Sequence, residues 1–429
     1  MQIIREGMTN VKWSKDIRYV PSFYNISLCN NNKCAIFNSA TGSVVVMDEV
    51  GFENCTSSEL EYLVKLGFLV PSEMEEHAEY TSKVKISEKG KPEYFTIIPT
   101  TACNARCFYC YEEDYCKQTA NDNTLNAIVQ LLNKNLDDDS ACVLDWYGGE
   151  PLLCITQIDK IISVLKENGK LQNRWHSSIT TNGTLLSKDV VRHLVEEWHL
   201  ESAHITIDGT EDEHNRRKNV NPQGESAFRK TYNGIYELLS AGVYVNLRIH
   251  IDHDNKSSFC EILNELSELF QFDNLHLFPT YLFPPEDKMP DNYIKDSEKE
   301  EIFYELFKTL ISSNYKVDLK DLFPNPRHSG CFATKKNTMV IAPDGTTHTC
   351  VQDFTSNDRF KDQKYSDFSY ALNSCKQCKY LPICLGGCLY NRNLSNTVRT
   401  PCVRNRFIVK PLLKILLESL EKSETGQLN

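Results

Sequence analysis

The chain has 429 residues, an apolar fraction of 41% and a charged fraction of 24%, the make-up of an ordinary globular protein too long for one hydrophobic core. Its net charge of −11 speaks against nucleic acid or an anionic membrane surface as the main partner, since either rewards a basic face. No apolar run reaches the ~18 to 20 residues of a membrane span, and the N-terminal stretch lacks the apolar centre of a secretory signal, so a cytoplasmic protein with no membrane partner is expected.

In chain order, "FYNISLC" (23–29) and "KCAIFNSATGSVVVMD" (33–48) read as short strands broken by turns, and "SSELEYLVKLGFLVP" (57–71) as a helix stopped at Gly67. The acidic run "SEMEEHAEY" (72–80) reads as a solvated linker. From residue 93 strand-like and helix-like segments alternate. "EYFTII" is followed by "NTLNAIVQLLNKNL", "CVLDWY" by "IDKIISVLKE", and "HSSITT" by "KDVVRHLVEEW". "AHITID" precedes "FRKTYNGIYELLSA", "VYVNLRIHI" precedes "FCEILNELSELF", and "LHLFP" precedes "EIFYELFKTLIS". Six such units predict an α/β fold with a parallel sheet and right-handed crossovers, either an open doubly wound sheet or a barrel-like curl. In both, the loops after the strand C-terminal ends carry the chemistry. "GCFATKKNTMVIAPDGTTHTC" (330–350) reads as a hairpin turning at "PDG", with a cysteine near each end. The C-terminal "FIVKPLLKILLESL" (407–420) reads as an amphipathic helix packing on the barrel, its start kinked or delayed by Pro411.

The 17 cysteines are an odd count in a compartment where disulfides rarely persist, which points to metal or iron–sulfur ligation. Cys29, Cys34, Cys55, Cys116, Cys142, Cys154 and Cys260 are scattered and are expected to be packed or idle thiols, with Cys116 the one near a cluster. Cys103, Cys107 and Cys110 lie in "CNARCFYC", immediately after the first strand of the repeat. A closed structural zinc site takes four ligands, as does an ordinary iron–sulfur cubane; three thiolates leave one iron open to an exogenous ligand. Cys331, Cys350, Cys375, Cys378, Cys384, Cys388 and Cys402 make a second set, and seven ligands do not fill two closed zinc ribbons.

CxxxCxxC with an aromatic before the last cysteine resembles the signature of the radical S-adenosylmethionine (SAM) enzymes, whose open iron is chelated by that cofactor. The resemblance implies a partial (β/α)6 TIM-like barrel, and the other motifs extend it. "WYGGEP" resembles the family's Gly-Gly-Glu motif, with Gly148 and Gly149 admitting the cofactor close to the backbone and Glu150 accepting from its ammonium. "TTNGTLL" resembles a cofactor-contacting turn, giving Thr181 and Asn182. "ITIDGTEDEHNRR" resembles a Ser-x-Asp-Gly segment with Thr206 in the serine's place, giving Thr206 and Asp208. Arg248 is a candidate partner of the cofactor's carboxylate.

The second cysteine set resembles the SPASM extension of peptide-modifying radical SAM enzymes, which holds two auxiliary 4Fe–4S clusters. By that resemblance Cys331, Cys350 and Cys388 bind the first auxiliary cluster, with an open iron or a non-cysteine ligand such as His348 or Asp353. Cys375, Cys378, Cys384 and Cys402 bind the second. The N-terminal region resembles the winged-helix-like element with which such enzymes hold a leader peptide, by strand addition at an exposed edge. The expected division is 1–90 for that element, 91–320 for the barrel, 328–405 for the SPASM domain and 406–429 for the C-terminal helix and tail.

The implied reaction is one-electron cleavage of the sulfonium, hydrogen abstraction from a ribosomally made precursor peptide by the 5′-deoxyadenosyl radical, and bond formation with an auxiliary cluster taking the spare electron. Three 4Fe–4S clusters, SAM and an electron donor such as flavodoxin or ferredoxin are implied. A thioether from a peptide cysteine to a carbon is the favoured product. A carbon–carbon crosslink and formylglycine formation of the sulfatase-maturing kind are the rivals. A non-catalytic iron–sulfur electron-transfer scaffold is the alternative from another class.

Overall fold

A computed structural model describes the chain except residues 31–32, 49–51, 85–92, 114, 137–140, 173, 221–224, 283–289, 336, 355–372, 389, 391–401 and 425–429. The expected boundary at 90/91 and the tail after 424 lie outside the described residues. Two compact units form, residues 1–86 with 295–331 and 365–429, and residues 87–294 with 332–364.

In the first unit, β1 (Gln2–Arg5), β5 (Val44–Met47), β4 (Cys34–Asn38) and β3 (Asn25–Cys29) make an antiparallel sheet in that order, while β2 (Tyr19–Pro21) pairs with β6 (Leu69–Pro71). Helix α1 (Ser57–Lys65) starts at a capping box in which Thr56 and Glu59 bond each other's backbone N–H, and stops where Gly67 takes φ +82°. The acidic run is not a linker: its second half opens helix α2 (Glu76–Lys83). Tyr80 is 4% exposed and packs with Tyr24, Leu381 and Leu385, so apolar burial overrides the charged composition. Cys29 and Cys34 are not idle thiols. They stand directly opposite in the β3–β4 register, the geometry a cross-strand disulfide needs, and they form one.

The second unit is built on an eight-stranded sheet. Strands β7 (Tyr94–Thr100), β8 (Cys142–Gly148), β9 (Trp175–Thr180), β10 (Leu200–Ile207), β11 (Tyr244–Ile251) and β12 (Leu275–Tyr281) are parallel and adjacent in chain order. That order never reverses, so the sheet has no switch point of the doubly wound kind. Two further strands, β13 (Thr338–Ile341) and β14 (Thr347–His348), extend the sheet beyond the six expected; β13 pairs parallel to β7, with Thr338 opposite Tyr94 and Ile341 opposite Ile97. The hairpin around "PDG" is therefore formed, and it is spent on lengthening the sheet.

The crossovers carry α3 (Asp122–Asn135), α4 (Ile155–Glu167), α5 (Lys188–Trp198), α6 (Glu211–Lys218), α7 (Ala227–Ser240) and α8 (Phe259–Glu265). Asn121, Ser187 and Ser226 cap α3, α5 and α7 with side-chain bonds to first-turn N–H groups. Helix α6 was not expected; its strongly polar sequence carries no apolar stripe, and buried ion pairs hold it instead. The helix expected over 259–270 ends at Glu265 and continues as a 3₁₀ turn, Ser267–Gln271.

Strand burial alternates. On β11, Val245, Leu247, Ile249 and Ile251 are at most 1% exposed, whereas Asn246, Arg248 and His250 face the other side. A parallel sheet clad on both faces would read as a continuous apolar run. Here the helices clad one face, and the other carries Thr96, Asp145, Tyr147, His204, Thr206 and Arg248.

The segment expected as the sixth helix, α9 (Lys299–Ile311), belongs to the first unit. The C-terminal helix α12 (Arg404–Glu424) packs along α9 and against β3 and β4. It starts well before Pro411, which sits inside it, so neither the delayed start nor the expected barrel seat describes it. Short helices α10 (Asn373–Lys376) and α11 (Leu381–Cys384) carry two of the C-terminal cysteines, Cys375 and Cys384, and Cys378 lies between them. Among the described residues no helix is long and apolar enough to cross a membrane.

Candidate active site

The loop after β7 is stitched at its base and hangs its thiols above. Thr101 donates to the Cys116 carbonyl at 2.7 Å and accepts from Gln118 N at 2.8 Å, and Thr100 meets Thr119 at 2.7 Å. Between these stitches Cys103, Cys107 and Cys110 line one cavity of about 310 Å³, together with Thr101, Gly148 and Gly149. Two donors aim at one sulfur: Ala105 N lies 3.4 Å and Asn182 Nδ2 3.7 Å from Cys103 Sγ.

The glycines serve chain packing first. A Cβ at Gly148 would overlap the Thr100 carbonyl oxygen, and one at Gly149 that of Ala102, so a side chain at either would push β8 off the cysteine loop. Gly148 also takes φ +120°, which L side chains rarely adopt. Gly149 N and Glu150 N donate to Thr100 O at 3.1 Å and Ala102 O at 2.9 Å. Glu150 is fully buried and accepts from Thr181 Oγ1 at 2.8 Å, Asn182 N at 2.8 Å and Leu152 N at 3.1 Å. Burial raises its carboxyl and these three bonds oppose the rise. The structure thus joins Gly148–Glu150, Thr181, Asn182 and the cysteine loop; Asn182 Nδ2 also donates to Asn104 Oδ1 at 2.8 Å.

Asp208 lies at the end of β10, fully buried. Tyr109 Oη donates from 2.8 Å to both its carboxylate oxygens, Lys218 Nζ stands 3.2 Å away, and His250 Nδ1 3.1 Å away. Its candidate role is therefore reached through Tyr109 and Lys218 as much as directly. Lys218 is 4% exposed, and its backbone carbonyl accepts from Arg106 N of the cysteine loop at 2.9 Å. Burial lowers its ammonium and Asp208 and Cys107 more than restore it. Arg217 holds α6 down with a bidentate pair to Asp252 at 2.7 and 2.9 Å, both side chains buried. Thr206 and Arg248 are opposite in the β10–β11 register, on the unclad face, and the Arg248 side chain makes no hydrogen bond or ion pair among the described residues.

Tyr109, Lys218 and His250 carry no role in the motif reading, whereas Arg217 lies in the quoted "ITIDGTEDEHNRR". Tyr109 enters the motif as the aromatic before Cys110, part of a spacing and not a donor.

Burial pushes the Cys107 thiol up to about 12, with Lys218 pulling the other way, and raises Cys103 and Cys110 as well. Three thiols at one cavity, N–H donors on a sulfur and a buried ammonium beside them fit an iron–sulfur cluster, whose sulfur ligands need charge compensation. Among the described residues no three Cys, His, Asp or Glu side chains converge as on a single metal ion. A cubane's ligands each hold a different iron and stand farther apart. Glu112, also lining the cavity, is 4% exposed; burial pushes its carboxyl up to about 7.

The four C-terminal cysteines of one expected set gather in the first unit. Cys375, Cys378 and Cys402 all act on the Cys384 thiol, which burial pushes up to about 11, and Arg406 Nη1 donates to Cys402 Sγ at 3.3 Å. Of the other set, Cys331 and Cys388 belong to the first unit and Cys350 to the second.

Residues 97–266 match the family model described as the Radical SAM superfamily, and with the parallel sheet and the cysteine loop they define this segment as a radical SAM domain. Over 331 residues the chain is 22% identical to the cysteine-type anaerobic sulfatase-maturating enzyme of Clostridium perfringens (strain 13 / Type A), covering 67% of this chain and 86% of that relative. The solved structure of native anSMEcpe with bound AdoMet and Cp18Cys peptide superposes with a TM-score of 0.55 at 19% identity, covering 79% of this chain and 100% of that one. Streptococcus suis SuiB bound to S-adenosylmethionine superposes with a TM-score of 0.50 at 15% identity, covering 93% and 100%.

Proposed function

We propose that the protein is a radical SAM maturase that modifies a ribosomally synthesised precursor peptide, most readily by joining a peptide cysteine sulfur to a carbon. The observation that carries this reading is the cavity shared by Cys103, Cys107, Cys110, Gly148 and Gly149, tied through Asn182 to Glu150. A 4Fe–4S cluster on the three thiolates, with SAM on its open iron, would supply a 5′-deoxyadenosyl radical. The chain's own share is to compensate the thiolates with Lys218, to anchor the cofactor's ammonium with Glu150, and to offer Arg248 to its carboxylate beside Thr206. The unclad polar face would hold the peptide segment.

In this reading Cys375, Cys378, Cys384 and Cys402 hold one auxiliary cluster, and Cys331, Cys350 and Cys388 the other. The region 1–90 holds the leader, 328–405 is the auxiliary-cluster domain, and flavodoxin or ferredoxin supplies electrons in the cytoplasm. The peptide bound in the anSMEcpe structure supports a peptide substrate.

Sulfatase maturation is the second reading, favoured by the likeness to the Clostridium enzyme. Against it, Val351 stands where those relatives are expected to carry an aspartate base after the second extension cysteine.

Anaerobically reconstituted, dithionite-reduced protein is expected to form 5′-deoxyadenosine, and Cys107→Ala to form none. Absence of the nucleoside from wild type would leave an electron carrier. Co-expression with a small cysteine-containing peptide encoded nearby then separates the products by mass spectrometry. A thioether removes two hydrogens and blocks thiol alkylation; formylglycine leaves an aldehyde that an aminooxy probe captures.

A further inference from the structure

Two tyrosines of the cysteine loop reach the turn that carries Cys350. Tyr111 Oη lies 2.9 Å from Tyr147 Oη and 3.2 Å from the Val351 carbonyl oxygen, and Tyr115 Oη lies 3.0 Å from that of Gln352. Tyr111 Oη is the donor toward both acceptors, the Tyr147 hydroxyl and the Val351 carbonyl, and shares its one proton between them. The turn closes on itself through its ends, Asp353 N donating to Cys350 O at 3.1 Å and the two residues pairing as an isolated antiparallel bridge. The two carbonyls inside it are the ones the tyrosines take. Around them Ile98, Val340, Ala342 and Phe354 form an apolar cluster, with the Tyr115 and Phe354 rings edge to face at 5.0 Å. Phenylalanine would fill that cluster equally well, so the hydroxyls mark a demand for orientation and not for burial. The pairing of β13 with β7 brings the turn to the site in the first place.

We infer that Tyr111 and Tyr115 are positioning residues that fix Cys350 against the loop of Cys103, Cys107 and Cys110, and that Tyr147 ties the Gly148–Glu150 strand end to the same chain of hydroxyls. The consequence for electron flow rests on the proposed role of Cys350 as an auxiliary-cluster ligand. Cys350 would then stand at a set separation from the first cluster before the rest of its ligands assemble.

The test compares Tyr111→Phe, Tyr115→Phe and the double variant with wild type, as full-length cluster-free protein under anaerobic conditions. Iodoacetamide modification of each cysteine is followed by peptide mapping, with buried Cys142 of the same unit as internal control. Each lost hydroxyl is expected to speed Cys350 alkylation on the order of fivefold relative to Cys142, the population change of one net hydrogen bond. An unchanged ratio would overturn the inference, and so would Cys350 and Cys142 rising together, which reports general loosening. In reconstituted protein, dipolar electron spin resonance between the clusters should broaden in the double variant and stay sharp if the tyrosines position nothing. Wild-type iron content in Cys350→Ala would remove the ligand reading alone, because the alkylation ratio does not depend on it.

Discussion

Asp208 is taken out of water by burial, which pushes a carboxyl up, yet Lys218 and the His250 hydrogen bond outweigh that and hold it well below the usual carboxylate range. Its charge is spent on keeping Tyr109 and Lys218 beside Cys107. Asp208→Asn is therefore expected to destabilise the protein by about 3–5 kcal/mol, because a buried ammonium loses its partner. Iron incorporation should fall with it, read by urea titration and by iron per chain. His214 behind it is fully buried; burial pushes its imidazole down from 6.5 to about 3, and its Nδ1 accepts from Asp208 N at 3.2 Å. The unfolded chain then binds a proton more readily than the folded one between those values. The stability this contributes is complete above pH about 6.5 and drains as the pH falls toward 3, by up to ~1.4 kcal/mol per unit. His214→Gln, which keeps an acceptor and cannot titrate, should flatten the melting temperature against pH from 6.5 to 4. The Asp208 contribution enters lower, below the ordinary carboxylate range near pH ~4.

At the scale of elements, the end of β8 and the cysteine loop are packed backbone to backbone, and Gly149 is the position with no room to spare. Gly149→Ala is expected to cost about 1–3 kcal/mol or more through overpacking and to lower iron uptake, measured by thermal melting and iron assay. In the first unit Tyr80 anchors α2, packing on Leu381 and donating to the Pro382 carbonyl at 3.1 Å. Tyr80→Ala should cost about 3 kcal/mol or more, visible as a lower urea midpoint with an unchanged slope. Such features explain what pattern reading reached and what it missed. Cys103, Cys107, Cys110 and the Gly148–Glu150 motif are local spacings and could be read directly. Tyr109 and Asp208 stand 99 positions apart in the chain and Tyr109 and Lys218 stand 109 apart, so no window of sequence displays either pair. Helix α2 was hidden because its residues are mostly polar or charged and the one that decides its burial, Tyr80, bonds to the Arg327 and Pro382 carbonyls 247 and 302 positions away.

For the whole molecule, the two thiol sets that gather lie in different compact units, so their iron content should be separable. Replacing Cys103, Cys107 and Cys110 by alanine, or Cys375, Cys378, Cys384 and Cys402, is expected to remove one cluster's iron each, with the losses adding in the combined variant. A combined loss larger than the sum would show that one cluster is needed to build the other. The sequence by itself determined the alternation of strands and helices, the parallel sheet and the cysteine spacings, because periodicity and ligand spacing are properties of neighbouring residues. Only the tertiary structure decided that β13 and β14 extend the sheet at β7, that one sheet face stays polar, and that Lys218 and Asp208 compensate each other beside Cys107. Edge pairing and buried charge are settled by which distant groups can satisfy one another once water is excluded, and that choice is made in space, after the local elements have formed.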